Sequence, residues 1–114
     1  MKNLSEIQPI GCPVLETLQV IGGKWKPGIL WEMERGTLRF GQLKRALPGI
    51  TQKMLTQQLR ELEQDGIIWR TVFAEVPPRV EYGLTEYGRS LRGILDEMAK
   101  WGLQHRDQKV AVLG

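Results

Sequence analysis

The side chains best suited to chemistry in this sequence are concentrated between residues 39 and 60. That stretch contains no Asp or Glu and carries five cationic side chains: Arg39, Lys44, Arg45, Lys53 and Arg60. The formal net charge of the whole chain is only +3, so the rest of the chain is net acidic and the basic character is local. A solvated helix surface, the alternative interpretation, usually mixes both signs of charge. The pattern therefore favours a polyanionic partner.

Amide and hydroxyl side chains in the same stretch could read base edges in double-stranded DNA. Gln52 and Gln57 each present a donor and an acceptor, and Lys53 can donate to guanine. Thr56 offers a hydroxyl and a methyl group, which suit a polar edge or a thymine methyl. Arg60, two turns further along a helix, is better suited to phosphate.

A second basic position lies where Pro77-Pro78 would stiffen a hairpin loop and present Arg79. An arginine there suits phosphate or a narrow minor groove. The alternative is an ion pair of Arg79 with Glu75 or Glu81. The complete set of candidate DNA contacts is Arg39, Lys44, Thr51, Gln52, Lys53, Thr56, Gln57, Arg60 and Arg79.

The only cysteine, Cys12, excludes an internal disulfide and a multi-cysteine zinc site. It precedes Pro13, a residue well suited to the first position of a helix, so Cys12 is predicted to be the N-cap. The positive end of the helix dipole favours a thiolate there, which makes Cys12 a possible redox sensor. The alternative is a small, buried packing residue.

Catalysis and metal binding find little support. The single histidine, His105, has no cysteine or carboxylate at metal-ligand spacing, and no phosphate-binding glycine loop or nucleophile motif is present. We expect no enzyme activity, no metal and no cofactor, and the sequence identifies no small-molecule effector. Three acids near a helix end are better explained as solvated charge or as partners of Arg60 and Arg70: Glu61, Glu63 and Asp65.

Glycines and prolines divide the chain into short helices and one hairpin. Thr51 is a good N-cap, and Leu55, Leu59 and Leu62 behind it have helical spacing, so a helix begins at this point. The predicted elements are helices over about 13–21, 24–35 and 85–104, a short helix marked by Phe40, Leu43 and Leu47, the helix that starts after Thr51, and strands over 67–73 and 80–84; residues 106–114 are expected to fray.

Two short helices separated by a tight turn and followed by a hairpin predict an α+β fold that is mostly α. The order is that of a winged helix-turn-helix with a two-stranded wing, whose second helix enters the major groove. A chain of 114 residues suffices for one compact core. We therefore expect a single domain over 1–114, with its core at about 12–104. A winged helix that binds another protein and not DNA is the alternative, since fold alone does not fix function.

Several ordered motifs also resemble the HxlR family of bacterial winged-helix transcriptional regulators, which are related in architecture to MarR proteins. They are Cys12-Pro13, Gly22-Gly23-Lys24-Trp25, Arg39-Phe40, the segment 50–66 and the segment 76–88, and the resemblance covers roughly residues 12–102. It implies a recognition helix over 51–65, a wing tip over 77–79 and a dyad-symmetric operator. Some members of that family sense oxidants through a cysteine at this Cys-Pro position.

The resemblance also implies a homodimer built from the first and last helices. The apolar positions of those helices are the candidate interface: Val14, Leu18, Leu95, Met98 and Trp101. Their alternative role is packing within one chain, but Met98 and Trp101, near the end of a small domain, exceed what one core needs to cover. Two symmetric copies would double the base contacts available to a module of this size.

The first eleven residues lack the features of a signal peptide, and no apolar stretch approaches the length needed to span a bilayer. We therefore expect a cytoplasmic protein without membrane attachment.

Overall fold

The computed structural model describes residues 11–113 of the chain, and side chains through residue 112. All of the segment from which the absence of a signal peptide is predicted, except Gly11, lies outside the described residues. The elements are α1 (Pro13–Ile21), α2 (Lys26–Met33), β1 (Leu38–Arg39), α3 (Phe40–Ala46), α4 (Gln52–Gln64), β2 (Ile68–Phe73), β3 (Arg79–Leu84), α5 (Glu86–Arg89) and α6 (Arg92–Leu113). This mostly helical arrangement with a small antiparallel sheet confirms the predicted fold class.

The start of α4 follows the sequence prediction closely. Thr51 has extended backbone angles, and its hydroxyl oxygen accepts a hydrogen bond from the backbone N–H of Met54 at 3.1 Å. That bond satisfies one of the N–H groups that a helix start leaves without a partner. Leu55, Leu59 and Leu62 are buried in the core beside residues of α2, so the apolar stripe faces inward as predicted.

The end of α4 is set by Gly66, which has a φ of +75°. The N–H of Gly66 donates to the carbonyl of Glu63, and the N–H of Ile67 donates to that of Leu62, both at 3.0 Å. These two bonds form a Schellman motif, in which glycine is favoured because a Cβ is strained in the left-handed region. Leu62 and Ile67 are both buried, which adds the apolar contact that accompanies this cap.

The sheet has three strands in the order β1-β3-β2, all antiparallel, whereas a two-stranded wing was expected. The additional strand, β1, pairs Leu38 with Tyr82 and Arg39 with Glu81. Two residues are too few to show the alternation of apolar and polar side chains that reveals a strand in sequence. Their pairing depends on β3, which lies more than 40 residues further along the chain.

The C-terminal helix predicted over 85–104 is divided into α5 and α6. Thr85 caps α5, and its hydroxyl also lies within hydrogen-bond distance of the carbonyl oxygens of Gly66 and Ile67, at 2.6 and 3.0 Å. Gly88 packs so closely on the Ile67 carbonyl that a Cβ would lie only 2.0 Å from it. These contacts bind α5 to the start of β2, and α6 begins separately at Arg92.

The expected fraying is also wrong for residues 106–113, because α6 continues to Leu113, and residue 114 lies outside the described residues. No proline or glycine lies between residues 103 and 113, so nothing in that segment interrupts the backbone hydrogen bonds of a helix. The side chains described in this last part of α6 are exposed, and polarity alone had suggested an irregular tail.

The conformation of Gly66 predicts a sharp contrast between two glycine substitutions. Gly66→Ala should lower the free energy of unfolding by about 1 to 2 kcal/mol, since an L-residue is strained at this φ. Gly102→Ala, within α6, meets open space and should raise it by roughly 0.5 to 1 kcal/mol through helix propensity. Urea unfolding of both variants tests the pair. Equal effects of the same sign would contradict the assigned cap.

Candidate nucleic-acid interface

The outward side of α4 brings together five of the side chains predicted from sequence. Gln52, Lys53, Thr56, Gln57 and Arg60 line one shallow, open depression on the surface, and no Asp or Glu lines it. Thr56 is half-buried and the other four are exposed. The opposite side of the same helix is held in the core by its leucines, so the depression belongs to a fixed surface.

Two hydrogen bonds restrict the polar groups on this surface. The Thr56 hydroxyl donates to the Gln52 carbonyl at 2.8 Å, one turn back along the helix. The amide Nε2 of Gln57 donates to Oε2 of Glu61 at 3.3 Å. Because a carboxylate can only accept, the amide nitrogen of Gln57 must face Glu61, and its carbonyl oxygen is left as a free acceptor.

The carboxylate of Glu61 is itself held by Lys26, whose Nζ donates to Oε1 at 2.5 Å. Among the side chains that the structure describes, Lys26 is the one charged residue that is buried, at 7% exposure, and it lies in the first turn of α2. The hydrogen bond from Lys26 holds the pKa of Glu61 below its ordinary value of 4.5, while partial desolvation opposes that shift. The pair therefore connects the core to Gln57.

Glu61 was expected to be solvated or to pair with Arg60 or Arg70; its side chain is 38% exposed, but it pairs with neither of those arginines. Its partner, Lys26, lies 35 residues away in sequence. Lys26 was not singled out from the sequence, because nothing near it distinguishes a buried lysine from an exposed one in the first turn of a helix.

The remaining candidates on the N-terminal side of α4 lie apart from the depression. Arg39, at the end of β1, and Lys44, on α3, are exposed. Thr51 is exposed too, but its hydroxyl already accepts the capping hydrogen bond from Met54. These three residues do not line the depression on α4, and any contact they make with DNA would lie beside it.

Arg79 is the first residue of β3 and does not lie in the loop. Its guanidinium is 3.1 Å from Glu75 Oε1 and 3.1 Å from Glu81 Oε2, and it stacks over Phe73 with 4.1 Å to the ring centroid. The Nε approach to Glu81 lacks hydrogen-bond alignment, so that contact is a pairing of charges alone. With a side chain 27% exposed, Arg79 adopts the ion-paired alternative in this structure.

Cys12 is the N-cap of α1 and is exposed, so the alternative of a buried packing residue is wrong. Its backbone carbonyl accepts from the N–H of Leu15 at 2.9 Å, while its thiol makes no capping hydrogen bond. Among the described residues, nothing buries the thiol.

Four of the five proposed dimer residues are exposed apolar side chains: Val14, Leu18, Met98 and Trp101, the last at 65%. Leu95 differs, because it is only 5% exposed and belongs to the core of the single chain. His105 stacks on Trp101 with 5.1 Å between ring centroids.

Across residues 11–113 there is no group of three or more His, Cys, Asp or Glu side chains that could hold a metal ion.

In the part of the chain that the structure describes, no helix combines the length and apolar character needed to cross a bilayer.

Comparison with known proteins places this arrangement among helix-turn-helix proteins. A family model described as HxlR-like helix-turn-helix matches residues 20–110. The chain is 63% identical over 89 residues to YtcD of Bacillus subtilis (strain 168), an uncharacterized HTH-type transcriptional regulator; the match covers 78% of this chain and 71% of YtcD. All of α4 lies within the matched family residues.

Solved structures give the same result. The redox regulator HypR in its reduced form has a TM-score of 0.83 and 52% identity, over 88% of this chain and 99% of that chain. HypR in its oxidized form has a TM-score of 0.78 and 55% identity, over 82% and 96% of the two chains.

The buried position of Lys26 predicts that the two partners of its ion pair are not equivalent. Glu61→Ala leaves an ammonium group buried without a partner and should cost about 2 to 3 kcal/mol of unfolding free energy. Lys26→Met leaves Glu61, whose side chain is 38% exposed and can be hydrated, and should cost less than about 1 kcal/mol. Urea unfolding at pH 7 measures both, with Glu63→Ala as the control for losing an exposed glutamate from α4. Equal losses from the two substitutions would contradict this account.

The same pair has a signature in pH. Since the pKa of Glu61 is lowered on folding, its contribution is fully present above its ordinary value of 4.5 and disappears as pH falls through the lowered pKa. The stability difference between the unmodified protein and Glu61→Ala should therefore be constant above about pH 5 and shrink at lower pH. A difference that grows on acidification would contradict the pairing.

Proposed function

Since the chain belongs to the HxlR-like helix-turn-helix family and is a DNA-binding transcriptional regulator, we propose that two copies bind a dyad-symmetric DNA site with α4 of each in the major groove. The family resemblance predicted from sequence is confirmed. The observation that carries the proposal is the outward surface of α4, where five polar or basic side chains and no acid line one depression. The similar regulators named above and others come from bacteria and archaea, whose chromosomes lie in the cytoplasm, and we propose that location for the protein.

Within the depression, the side chains divide by the contact each can make. Lys53 is a donor suited to guanine, whereas the exposed carbonyl oxygen of Gln57 is an acceptor suited to the amino groups of cytosine or adenine. Gln52 and Thr56 flank them and can meet neighbouring base edges. Arg60 lies farthest along the helix from its N-terminus, where phosphate is the expected partner.

The proposed dimer is supported by the exposed apolar side chains of α1 and α6, above all Trp101 and Met98. Exposed apolar residues that cluster on a small protein commonly mark an interface. A two-fold axis between the terminal helices would place two α4 helices on half-sites about one helical turn, roughly 34 Å, apart. Leu95 has no part in this interface, because the core of each copy already buries it.

Substitutions on α4 test whether its outward side chains contact DNA bases. On a site selected from a random DNA library by the unmodified protein, Lys53→Ala and Gln57→Ala should each weaken binding by about 10- to 100-fold, with a smaller effect on random DNA. Arg60→Ala should weaken both and lower the log–log salt slope by about one unit. Gln64→Ala, on the same helix but outside the depression, and Lys100→Ala, on α6, are the matched controls. If Lys53→Ala and Gln57→Ala left specific binding unchanged, the proposal that α4 lies in the major groove would be wrong.

We also propose that Cys12 makes DNA binding responsive to oxidants. The exposed thiol supports the proposal, as does the similarity to a structure whose name is that of a redox regulator. In the proposed step, the Cys12 thiols of two copies lose two protons and two electrons to an oxidant such as diamide and form one disulfide between the copies.

Diamide treatment tests this step. The unmodified protein should give a covalent dimer on a non-reducing gel and an altered affinity for the selected DNA site, and dithiothreitol should reverse both. Cys12→Ser should bind the site normally, have the same mass in solution under reducing conditions, and be insensitive to diamide. An identical diamide response in Cys12→Ser, or none in the unmodified protein, would exclude Cys12 as the sensor.

A further inference from the structure

A small polar cavity of about 200 Å³ lies on the side of the sheet opposite α4. Trp69 and its β3 partner Gly83 line it, whereas the next residues on each strand, Arg70 and Tyr82, line a depression shared with α4. Successive residues of a strand project to opposite faces. The remaining walls come from the end of α2, the turn after it, the last residues of β3 and α5, and the start of α6: Met33, Glu34, Arg35, Gly36, Thr37, Leu84, Arg89 and Arg92.

One wall of the cavity depends on the absence of a side chain at Gly83. A Cβ at this position would lie 2.4 Å from Trp69 Cζ2 and 2.6 Å from Cε2. The indole can therefore lie against the backbone of β3 only because residue 83 is glycine.

The charges around the cavity are unbalanced. Arg35, Arg89 and Arg92 contribute three guanidinium groups, and Glu34 contributes one carboxylate, which leaves a net charge of +2. None of the three arginines forms an ion pair within 4.0 Å with any described residue. The Oε1 atom of Glu34 is buried and has no hydrogen-bond partner within residues 11–113. Buried polar atoms in folded proteins usually have a hydrogen-bond partner, so a missing partner at Glu34 Oε1 is unusual.

We propose that this cavity binds a small organic dianion, with carboxylate or phosphate groups, that also carries an O–H or N–H donor. The arginine forks would hold the anionic groups, since guanidinium geometry matches both carboxylate and phosphate. The donor would satisfy Glu34 Oε1, and the indole of Trp69 would cover the apolar part of the ligand. The cavity and the depression on α4 share no lining residue, so a bound ligand would not occupy the proposed DNA surface.

The experiment measures thermal unfolding of the full chain against increasing L-malate, succinate or inorganic phosphate, each compared with sodium chloride at equal ionic strength. A ligand that binds only the folded state raises Tm as its concentration increases. Malate and succinate differ only in one hydroxyl group, which is the donor offered to Glu34. Malate should therefore bind about tenfold more tightly than succinate.

Variants assign the effect to the cavity. Arg89→Gln and Arg92→Gln should each weaken malate binding by about tenfold, while Arg106→Gln, an exposed arginine of α6 outside the cavity, should not change it. In Glu34→Met, which lacks the acceptor, malate and succinate should bind equally. The three arginines are exposed and Glu34 is partly buried, and near-UV circular dichroism of each variant, compared with the unmodified protein, tests whether it is folded.

The outcomes separate the sources of the anion. Stabilisation by phosphate alone, lost in Arg89→Gln and Arg92→Gln, would support the site and assign it to phosphate compounds. If none of the three anions exceeded the sodium chloride control, or if Arg106→Gln lost as much affinity as Arg89→Gln, the proposal would be wrong. It would also be wrong if the Arg89 and Arg92 variants weakened DNA binding and left the anion response unchanged, because the arginines would then be DNA contacts. None of these results depends on whether α4 reads DNA.

Discussion

Burial of Leu55, Leu59 and Leu62 fixes the rotation of α4 about its axis, and the arrangement of the proposed DNA surface follows from that rotation. Each such leucine contributes roughly 1.5 to 3 kcal/mol relative to an exposed position. An exposed ion pair contributes less than about 1 kcal/mol, so surface charges could not turn the helix against its core. The amides and cations lie on the opposite side of the helix, and they face outward because the leucines must face the core.

The Lys26–Glu61 pair extends this constraint from the core to the surface. A buried ammonium is unfavourable unless a carboxylate compensates for its lost hydration, so Lys26 restrains Glu61, and Glu61 in turn restrains the amide of Gln57. The pair need not stabilise the fold more than two apolar residues would. Its effect is on geometry, because it determines which end of the Gln57 amide is free.

The sheet separates two kinds of chemistry. Its α4 side carries Arg70 and Tyr82 beside the proposed DNA surface, while its other side carries Trp69, Gly83 and the unbalanced charges of the small cavity. Arg79 shows a third situation, since its charge is satisfied by acids within the hairpin itself. A DNA phosphate would have to compete with those acids for it.

The local signals in the sequence were sufficient for α1, for the start of α4, for the hairpin and for the acid-free surface. In each case the information lies within a few residues: Pro13 at a first helical position, the Thr51 cap, or the spacing of leucines in α4. The family followed in the same way, because its motifs are short and ordered along the chain.

Tertiary structure alone decided the features whose partners are distant in sequence. β1 exists because β3 pairs with it, α5 is separate from α6 because Thr85 and Gly88 bind the start of β2, and Glu61 is paired because the fold brings Lys26 to it. Leu95 was predicted to lie in the dimer interface but is buried in the core, and this too depends on neighbours that are distant in sequence. Periodicity reports which side of an element is apolar, but not what covers that side, and a charged side chain is buried or exposed according to neighbours that the fold supplies.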